Sequence, residues 1–299
     1  MKRFFLILFF CQSICASPQD VVIASFNTFW LYDDQPSHER WWNDQRGAMG
    51  QTYTQALDLV AAAIVESDAD VIALQEVESH DVVSDLVSRL SSHHDTDYPH
   101  FWTGQGTDST TGQDVALLSK YPRDGELQLH YKSERESFLT EVDPGNEDDT
   151  GLSKVLRVDL NVEGTVIHFF VTHLKSQRGG AVSDNQRLAQ ASIIRRITKP
   201  LINAGGSVIV MGDLNADRGS KTLHRLRGFD DSDADLYQSV HNDNFSGLKV
   251  SYTFAGRPQQ LDHILLTRDL YKEIISGSFQ NSHDKETSDH ALLKVTIDL

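Results

Sequence analysis

Several short apolar runs in this chain stop abruptly at a polar, chemically versatile residue, and that pattern limits the available folds more than any other. Val208–Met211 gives way to Gly212, Asp213 and Asn215. Val71–Leu74 ends in Gln75-Glu76-Val77, Val166–Val171 in Thr172-His173-Leu174-Lys175, and Val21–Ser25 in Phe26-Asn27. Such runs, rich in β-branched residues and bounded by polar or turn-forming ones, read as buried strands. Two further strands, Leu261–Thr267 and Ala291–Ile297, carry polar groups at the opposite end, with Asp262 at the start of one and Ser288-Asp289-His290 before the other. All these groups share one edge only if the last two strands run antiparallel to neighbours in the first set. That requires mixed sheets, not an all-parallel Rossmann arrangement.

Helical periodicity fills several of the gaps. Thr54–Glu66 places Ala56, Leu57, Val60, Ala63 and Ile64 on one face, and Asp81–Leu90 reads as a second short helix. Gln186–Thr198 is amphipathic, carries Arg187, Arg195 and Arg196, and is expected to stop at Pro200. The glycine pair Gly179-Gly180 and the polar residues after it read as a loop. Strands at His100–Thr103 and Val115–Ser119 flank a Gly/Ser/Thr-rich loop, and Glu163-Gly164 marks a hairpin between Leu156–Val162 and Val166–Val171. The fold class is therefore α/β: two packed mixed β-sheets with helices outside. No repeat or linker divides the chain, so residues 17–299 are expected to form one domain.

Residues 1–16 read as a signal peptide, with Lys2 and Arg3 ahead of the apolar run Phe4–Phe10 and small residues at Ala16 and Ser17. That run is too short for a transmembrane helix, and no later stretch qualifies. Both cysteines, Cys11 and Cys15, fall inside this leader, so the secreted chain, extracellular or periplasmic, is expected to lack disulfides. Net charge is −16, and −18 once Lys2 and Arg3 are removed. A polyanionic partner is repelled by such a protein unless local basic residues, bound cations or salt offset the field. The segments Glu141–Asp149 and Asp230–Asp235 read as exposed acidic loops, for which solvated charge outweighs a structural Ca²⁺ site. Leu31–Gln51 reads as polar and irregular; its Trp41 and Trp42 are expected to pack beneath a loop before they stack on a base.

Asp213 and Asn215 alone are explained equally well by an Asx turn closing a strand. Taken with the other strand ends, they suit hydrolysis of a phosphate ester. Glu76 and Asn27 offer oxygen ligands to Mg²⁺ or Mn²⁺. Asp213 or a histidine can take a proton from water, and Asn215 can position water or phosphate. His173 and His290 can donate to the phosphate, with Asp262 and Asp289 as candidates to fix their tautomers. Lys175 adds positive charge nearby. His168, His263 and His283 are assigned no such role, since most of the 13 histidines in a chain like this are structural or exposed.

The motifs Ser25-Phe26-Asn27, Leu74-Gln75-Glu76-Val77, Thr172-His173-Leu174, Gly212-Asp213-Leu214-Asn215, Leu261-Asp262-His263-Ile264 and Ser288-Asp289-His290 occur in one order along the chain. In that order they resemble the endonuclease/exonuclease/phosphatase superfamily, with its deoxyribonuclease-I-like fold. The resemblance implies a four-layered α/β sandwich, with Asn27 and Glu76 at a divalent metal and Asp289 as a second ligand or orienting group. It implies Asp213 and Asn215 at the water and phosphate, His173 and His290 as an acid/base and phosphate-binding pair, and Asp262 supporting His290. His173-Leu174-Lys175-Ser176, Asp114–Leu118, the Arg187–Ala191 segment and Ser251-Tyr252-Thr253-Phe254 are similar to secreted bacterial nucleases. Arg187 either reaches a phosphate or braces the Lys175 loop, and bracing is favoured. Position 78 departs from the animal deoxyribonuclease pattern, with Glu78 in place of a groove-contacting arginine.

The resulting expectation is a secreted, monomeric, metal-dependent phosphodiesterase acting on nucleic acid, DNA before RNA. A phospholipid diesterase similar to bacterial sphingomyelinases, or a phosphomonoesterase, keeps the chemistry and changes the substrate. A non-catalytic binding protein would be expected to have lost a histidine or a metal carboxylate, and this chain has lost neither.

Overall fold

Period-two alternation along the strands decides how the layers stack. The computed structural model describes residues 19–35, 45–104, 106, 111–125, 127, 133–140, 147–228, 234–240 and 249–299. The expected leader, Trp41, Trp42 and the acidic stretches 141–146 and 230–233 lie outside them. In chain order the strands are β1 (Asp20–Leu31), β2 (Val71–Val77), β3 (His100–Thr103), β4 (Asp114–Ser119), β5 (Glu136–Leu139), β6 (Glu147–Thr150), β7 (Val155–Val162) and β8 (Thr165–His173). They continue with β9 (Ser207–Asp213), β10 (Leu236–Gln238), β11 (Tyr252–Phe254), β12 (Arg257–Gln259), β13 (Asp262–Thr267), β14 (Gln280–Ser282) and β15 (Leu292–Asp298). The α-helices are α1 (Tyr53–Ser67), α2 (His80–His94), α3 (Gly180–Asn203), α4 (Lys221–Arg227) and α5 (Arg268–Lys272).

One sheet has the order β14-β15-β1-β2-β4-β3 and the other β10-β13-β9-β8-β7. Between them, Val21, Ile23, Val71, Val115 and Leu117 of the first meet Phe169, Val171, Ile209, Met211 and Ile264 of the second. The alternate residues Ala24, Ile72, Leu74, Ala116 and Leu118 face outward onto α1 and α2. Val208, Val210, Phe170 and Leu265 do the same on the other side, against α3 and α4. The order is helices, sheet, sheet, helices, which is the expected four-layered α/β sandwich. Each fully buried Val, Leu, Ile or Phe contributes roughly 1.5–3 kcal/mol relative to exposure, so three contiguous cores are the main source of cohesion. Among the described residues, no helix is long and apolar enough to cross a membrane.

Both sheets are mixed, and the mixing places the polar strand ends. β1 and β2 run parallel, as do β8 and β9. β15 pairs antiparallel with β1, and β13 antiparallel with β9. The carboxyl ends of the parallel pairs therefore meet the amino ends of β13 and β15 at one edge.

Three local readings change. Asn27 does not end β1: the strand resumes as far as Leu31 after a register shift, with Phe29 and Trp30 in left-handed conformations. Helix α3 starts at Gly180, within the expected loop, and passes through Pro200 to Asn203. Proline removes one helical donor, but Leu201 and Ile202 pack against the core and hold that last turn. Residues 147–149 of the expected loop Glu141–Asp149 are exposed but not irregular: with Thr150 they pair with Glu136–Leu139 as a two-stranded ribbon. Arg135 forms an ion pair with Asp149 across it, a contact that no apolar alternation announces.

Gly212 shows how closely β8 and β9 approach. Its φ is +138°, and a Cβ there would lie 2.0 Å from the Thr172 carbonyl oxygen. Backbone cannot yield as a flexible side chain can, so strain and overlap add. Gly212→Ala is expected to lower stability by more than about 2 kcal/mol. A urea titration with unchanged slope and an earlier midpoint would register it; an unshifted midpoint would refute the close-approach account.

Candidate active site

Strand register brings three of the expected site residues side by side. Asp213 is the cross-strand partner of His173 on β8 and also of Asp262 on β13. From the other sheet, Asn27 is in register with Gln75, next to Glu76. The approach to β15 adds His290, whose backbone forms an isolated bridge with Tyr252. Glu76 and Asn215 both have positive φ, at 61° and 48°, so the chain bends at each as it leaves its strand. Sparsely populated backbone of this kind is held by its surroundings and concentrates at functional sites.

The Asp213 carboxylate is the meeting point. Its Oδ2 accepts from Asn27 Nδ2 at 3.1 Å and lies 3.5 Å from His173 Nε2 and 3.8 Å from His290 Nε2. Its Oδ1 accepts from the Asn215 backbone N–H at 2.8 Å, which is an Asx turn. Turn and site are thus one structure: the bend that closes β9 also orients the carboxylate. Asn215 Nδ2 donates to the Leu174 carbonyl at 3.1 Å. Asn27 Nδ2 also reaches Glu76 Oε1 at 3.3 Å, while its Oδ1 accepts from the Phe29 N–H. The second Glu76 oxygen accepts from the Trp30 N–H at 3.1 Å.

The two histidines differ in support. His290 Nδ1 is 2.7 Å from Asp262 Oδ2, which fixes the ring, and Tyr252 stacks on it at 4.6 Å between centroids. Among the described residues His173 has no such carboxylate on its other nitrogen: Nδ1 is buried without a hydrogen-bond partner there. Asp289, a second candidate for fixing a tautomer, stands on the cleft wall instead. Burial opposes charge on His290, but Asp262, Asp213 and Asp289 outweigh it and lift its pKa to about 10. Burial, Lys154 and His290 hold His173 well below the ordinary histidine value. The surroundings therefore favour the charged form of one imidazole and the neutral form of its neighbour.

Burial is also the largest influence on Asp213, raised to about 7 with Asp262 and Glu76 adding to the rise and His290 opposing it. Surrounding protein pushes the Asp289 carboxyl up to about 6, with Glu76 and Asp262 contributing. Carboxylates crowded in one recess, with hard oxygen donors, fit a divalent cation. Ligand atoms of Asp213, Asp262 and His290 also lie within 4.8 Å of one another. Binding there through the Asp262 and His290 atoms that face each other would break their 2.7 Å hydrogen bond. Glu76 and Asp289 line the same cleft as Asp213 and interact electrostatically with each other, without such a hydrogen bond between them to break. Asn27 turns its amide nitrogen toward the carboxylates, so holding a cation through its oxygen requires the amide to rotate.

The other expected residues separate into wall and brace. Lys175 is exposed on the wall of a cleft of about 850 Å³. Arg187 is buried, donates from Nη1 to the Lys175 carbonyl at 2.9 Å and pairs with Asp184, which is the bracing arrangement. His263 uses Nε2 on the Ala216 carbonyl at 2.9 Å, and His168 pairs with Asp159 at 2.9 Å. Glu78 accepts from the Asp33 N–H at 2.8 Å. No sequence signal marks Lys154, whose carbonyl accepts from the His173 N–H and whose side chain lines the cleft. None marks Gln177 either, which donates to the Asn215 carbonyl and accepts from Gln259 on β12. Neither lies in a run with a recognisable period; only the fold makes them neighbours.

Three solved structures illustrate what the chain resembles. An endonuclease/exonuclease/phosphatase family protein from Leptotrichia buccalis C-1013-b is 17% identical with a TM-score of 0.61, over 93% of this chain and 100% of that one. The mannosyl-6-phosphatase Bt3783 of Bacteroides thetaiotaomicron VPI-5482 is 16% identical with a TM-score of 0.57, over 93% and 99%. A Staphylococcus aureus beta toxin mutant with bound magnesium ions is 17% identical with a TM-score of 0.54, again over 93% and 99%. At these identities the likeness is one of fold. No curated protein sequence matches the chain significantly. The family model for the Endonuclease/Exonuclease/phosphatase family matches residues 24–290, spanning every strand end described above, and the chain belongs to that family.

Proposed function

We propose that this protein is a secreted, divalent-metal-dependent phosphodiesterase that cleaves nucleic acid, with DNA as the favoured substrate. The observation that carries the reading is a pair of buried histidines on either side of one buried carboxylate, with His173 Nε2 3.5 Å and His290 Nε2 3.8 Å from Asp213 Oδ2. Residues 1–16 are its leader, and residues 17–299 form one catalytic domain that works as a monomer. Glu76 and Asp289, with Asn27 after amide rotation, hold Mg²⁺ or Mn²⁺. When bound, the ion polarises a phosphoryl oxygen and offsets charge in the transition state.

The chain's own groups account for the protons. Water attacks phosphorus and passes a proton to Asp213, which Asn215 holds in place through its backbone N–H. The bond from phosphorus to the leaving oxygen breaks, and that oxygen takes the proton of His290 Nε2. His290 recovers a proton from Asp213, 3.8 Å away in the resting structure. Asp262 keeps the His290 ring oriented and favours its charged form. Neutral His173 directs one N–H at the phosphate, and Lys175 adds charge from the cleft wall.

A phospholipid diesterase or phosphomonoesterase is the second reading, favoured by the net charge of −16, or −18 without Lys2 and Arg3 of the leader, which opposes binding to a long polyanion. Phe254, 64% exposed on the β11–β12 hairpin beside the cleft, is a single ring rather than an extended apolar hairpin. A panel of plasmid, single strand, RNA, sphingomyelin and a phosphomonoester separates these readings; faster release of choline or inorganic phosphate than of oligonucleotides favours the second.

Asp213→Ala is expected to reduce plasmid cleavage by several orders of magnitude, and EDTA to abolish it. Cleavage undiminished by both would end the proposal. Without metal, NMR titration should keep His290 charged until near pH 10, while His173 stays neutral down to acid pH. Because folding raises the His290 pKa, its contribution to stability is complete below about pH 6.5 and is lost as pH rises toward about 10. Asp262→Asn should pull that titration downward and cost roughly 10²- to 10³-fold in kcat. An unmoved His290 titration in this variant would show that Asp262 does not set its charge.

A further inference from the structure

Arg46 is completely buried beneath the site, although it sits in a stretch whose sequence reads as polar and irregular. Its guanidinium is committed to backbone carbonyls on both sides of the cation-site edge. Nε donates to the Phe29 carbonyl at 2.9 Å, and Nη2 donates to the Thr28 carbonyl, both within the irregular part of β1. Nη2 also donates to the Thr287 carbonyl at 3.0 Å, one residue before Ser288-Asp289-His290. Nη1 donates to Gln51 Oε1 at 2.7 Å, and Gln51 in turn donates to the Glu286 carbonyl at 2.6 Å. Ser288 Oγ closes the loop by donating to the Asn27 carbonyl at 2.7 Å. One planar fork thus ties together segments from opposite ends of the chain, each next to an expected metal or acid residue.

We propose that Arg46 is a positioning residue that holds Asn27 and Glu76 on one side, and Asp289 and His290 on the other, at the separation a divalent cation requires. This rests on the reading of Glu76 and Asp289 as the cation-holding end of the site. Arg46 touches neither substrate nor reacting atoms. It acts through the three carbonyls, and its planar five-donor fork is what a lysine cannot copy.

Charge and geometry make opposite predictions for removing it. Glu76 and Asp289 both lie close enough to interact electrostatically with the buried guanidinium. If Arg46 acted only as a charge, its loss would remove repulsion and tighten binding of a cation. Arg46→Lys, which keeps the charge, would then behave as native. If Arg46 acts by position, both Arg46→Ala and Arg46→Lys bind the cation more weakly.

The test is the rise in melting temperature of the full chain as Mg²⁺ is titrated, read by calorimetry or fluorescence without substrate. Both variants are expected to need about 10- to 100-fold more Mg²⁺ for the same rise, the usual cost of losing a residue that orients ligands from behind. Millimolar guanidinium ion should restore part of the Mg²⁺ response in Arg46→Ala and none in Arg46→Lys, where the ammonium stem fills the space. Should Arg46→Ala fail to fold, Arg46→Lys carries the test alone. Native Mg²⁺ dependence in Arg46→Lys, or tighter binding in Arg46→Ala, overturns the proposal. No Mg²⁺ response in the unaltered protein overturns the cation-site reading itself, and is thereby distinguished from a failure of Arg46 alone.

Discussion

A carboxylate buried among a carboxamide and two imidazoles has to be stabilised from every direction, and Asp213 is in that position. Its exposure is 2%, so solvation cannot support its charge, and each of its oxygens depends on protein donors. That dependence explains much of the neighbouring structure. The left-handed turn at Asn215 delivers a backbone N–H to one oxygen, while the irregular β1 delivers the Asn27 amide to the other. His290 can carry its charge in a buried place because Asp262 and Asp213 face it. Remove the carboxylate, and the charged imidazole loses a partner while the carboxamide loses an acceptor.

The sheets make this arrangement rigid. His173, Asp213 and Asp262 occupy cross-strand positions in a hydrogen-bonded ladder, so their spacing follows from β pairing and not from side-chain search. Little conformational entropy is left to lose when a substrate arrives. Exposed residues lie outward of this ladder, on the β11–β12 hairpin and the turn around Lys175. These rim elements are still connected to the centre: Gln177 joins β12, through Gln259, to the Asn215 carbonyl.

The layers were legible in the sequence because burial on both faces writes itself into apolar runs. Val208–Met211 and Val166–Val171 have no other use for so many aliphatic residues. The shared edge was legible too, since a polar residue ending such a run needs a reason. Three things were not. Which carboxylate serves which histidine depends on register: the residues alone left Asp262 and Asp289 open, the family resemblance pointed to Asp262 for His290, and those two are paired. Whether Asn27 ends its strand depends on a bulge held by a distant arginine. And Pro200 suggested a helix end because proline's local preference is readable, whereas the packing of Leu201 and Ile202 that overrides it is tertiary. Arg46 shows the same limit most plainly: a charge in a polar stretch looks solvated until the fold encloses it.

The close approach at Gly212 bears on how such a protein can diversify. A position that admits no Cβ is closed to every residue but glycine, whatever the substrate, because the obstacle is the backbone of the neighbouring strand. The chemistry is thereby fenced off from drift along β8 and β9. The exposed rim carries no comparable obstacle: at Gly256 in the hairpin turn a Cβ would meet nothing within 4 Å, and Phe254 beside it is 64% exposed. The same frame thus closes the strand end to change of side chain and leaves the rim of the cleft open to it.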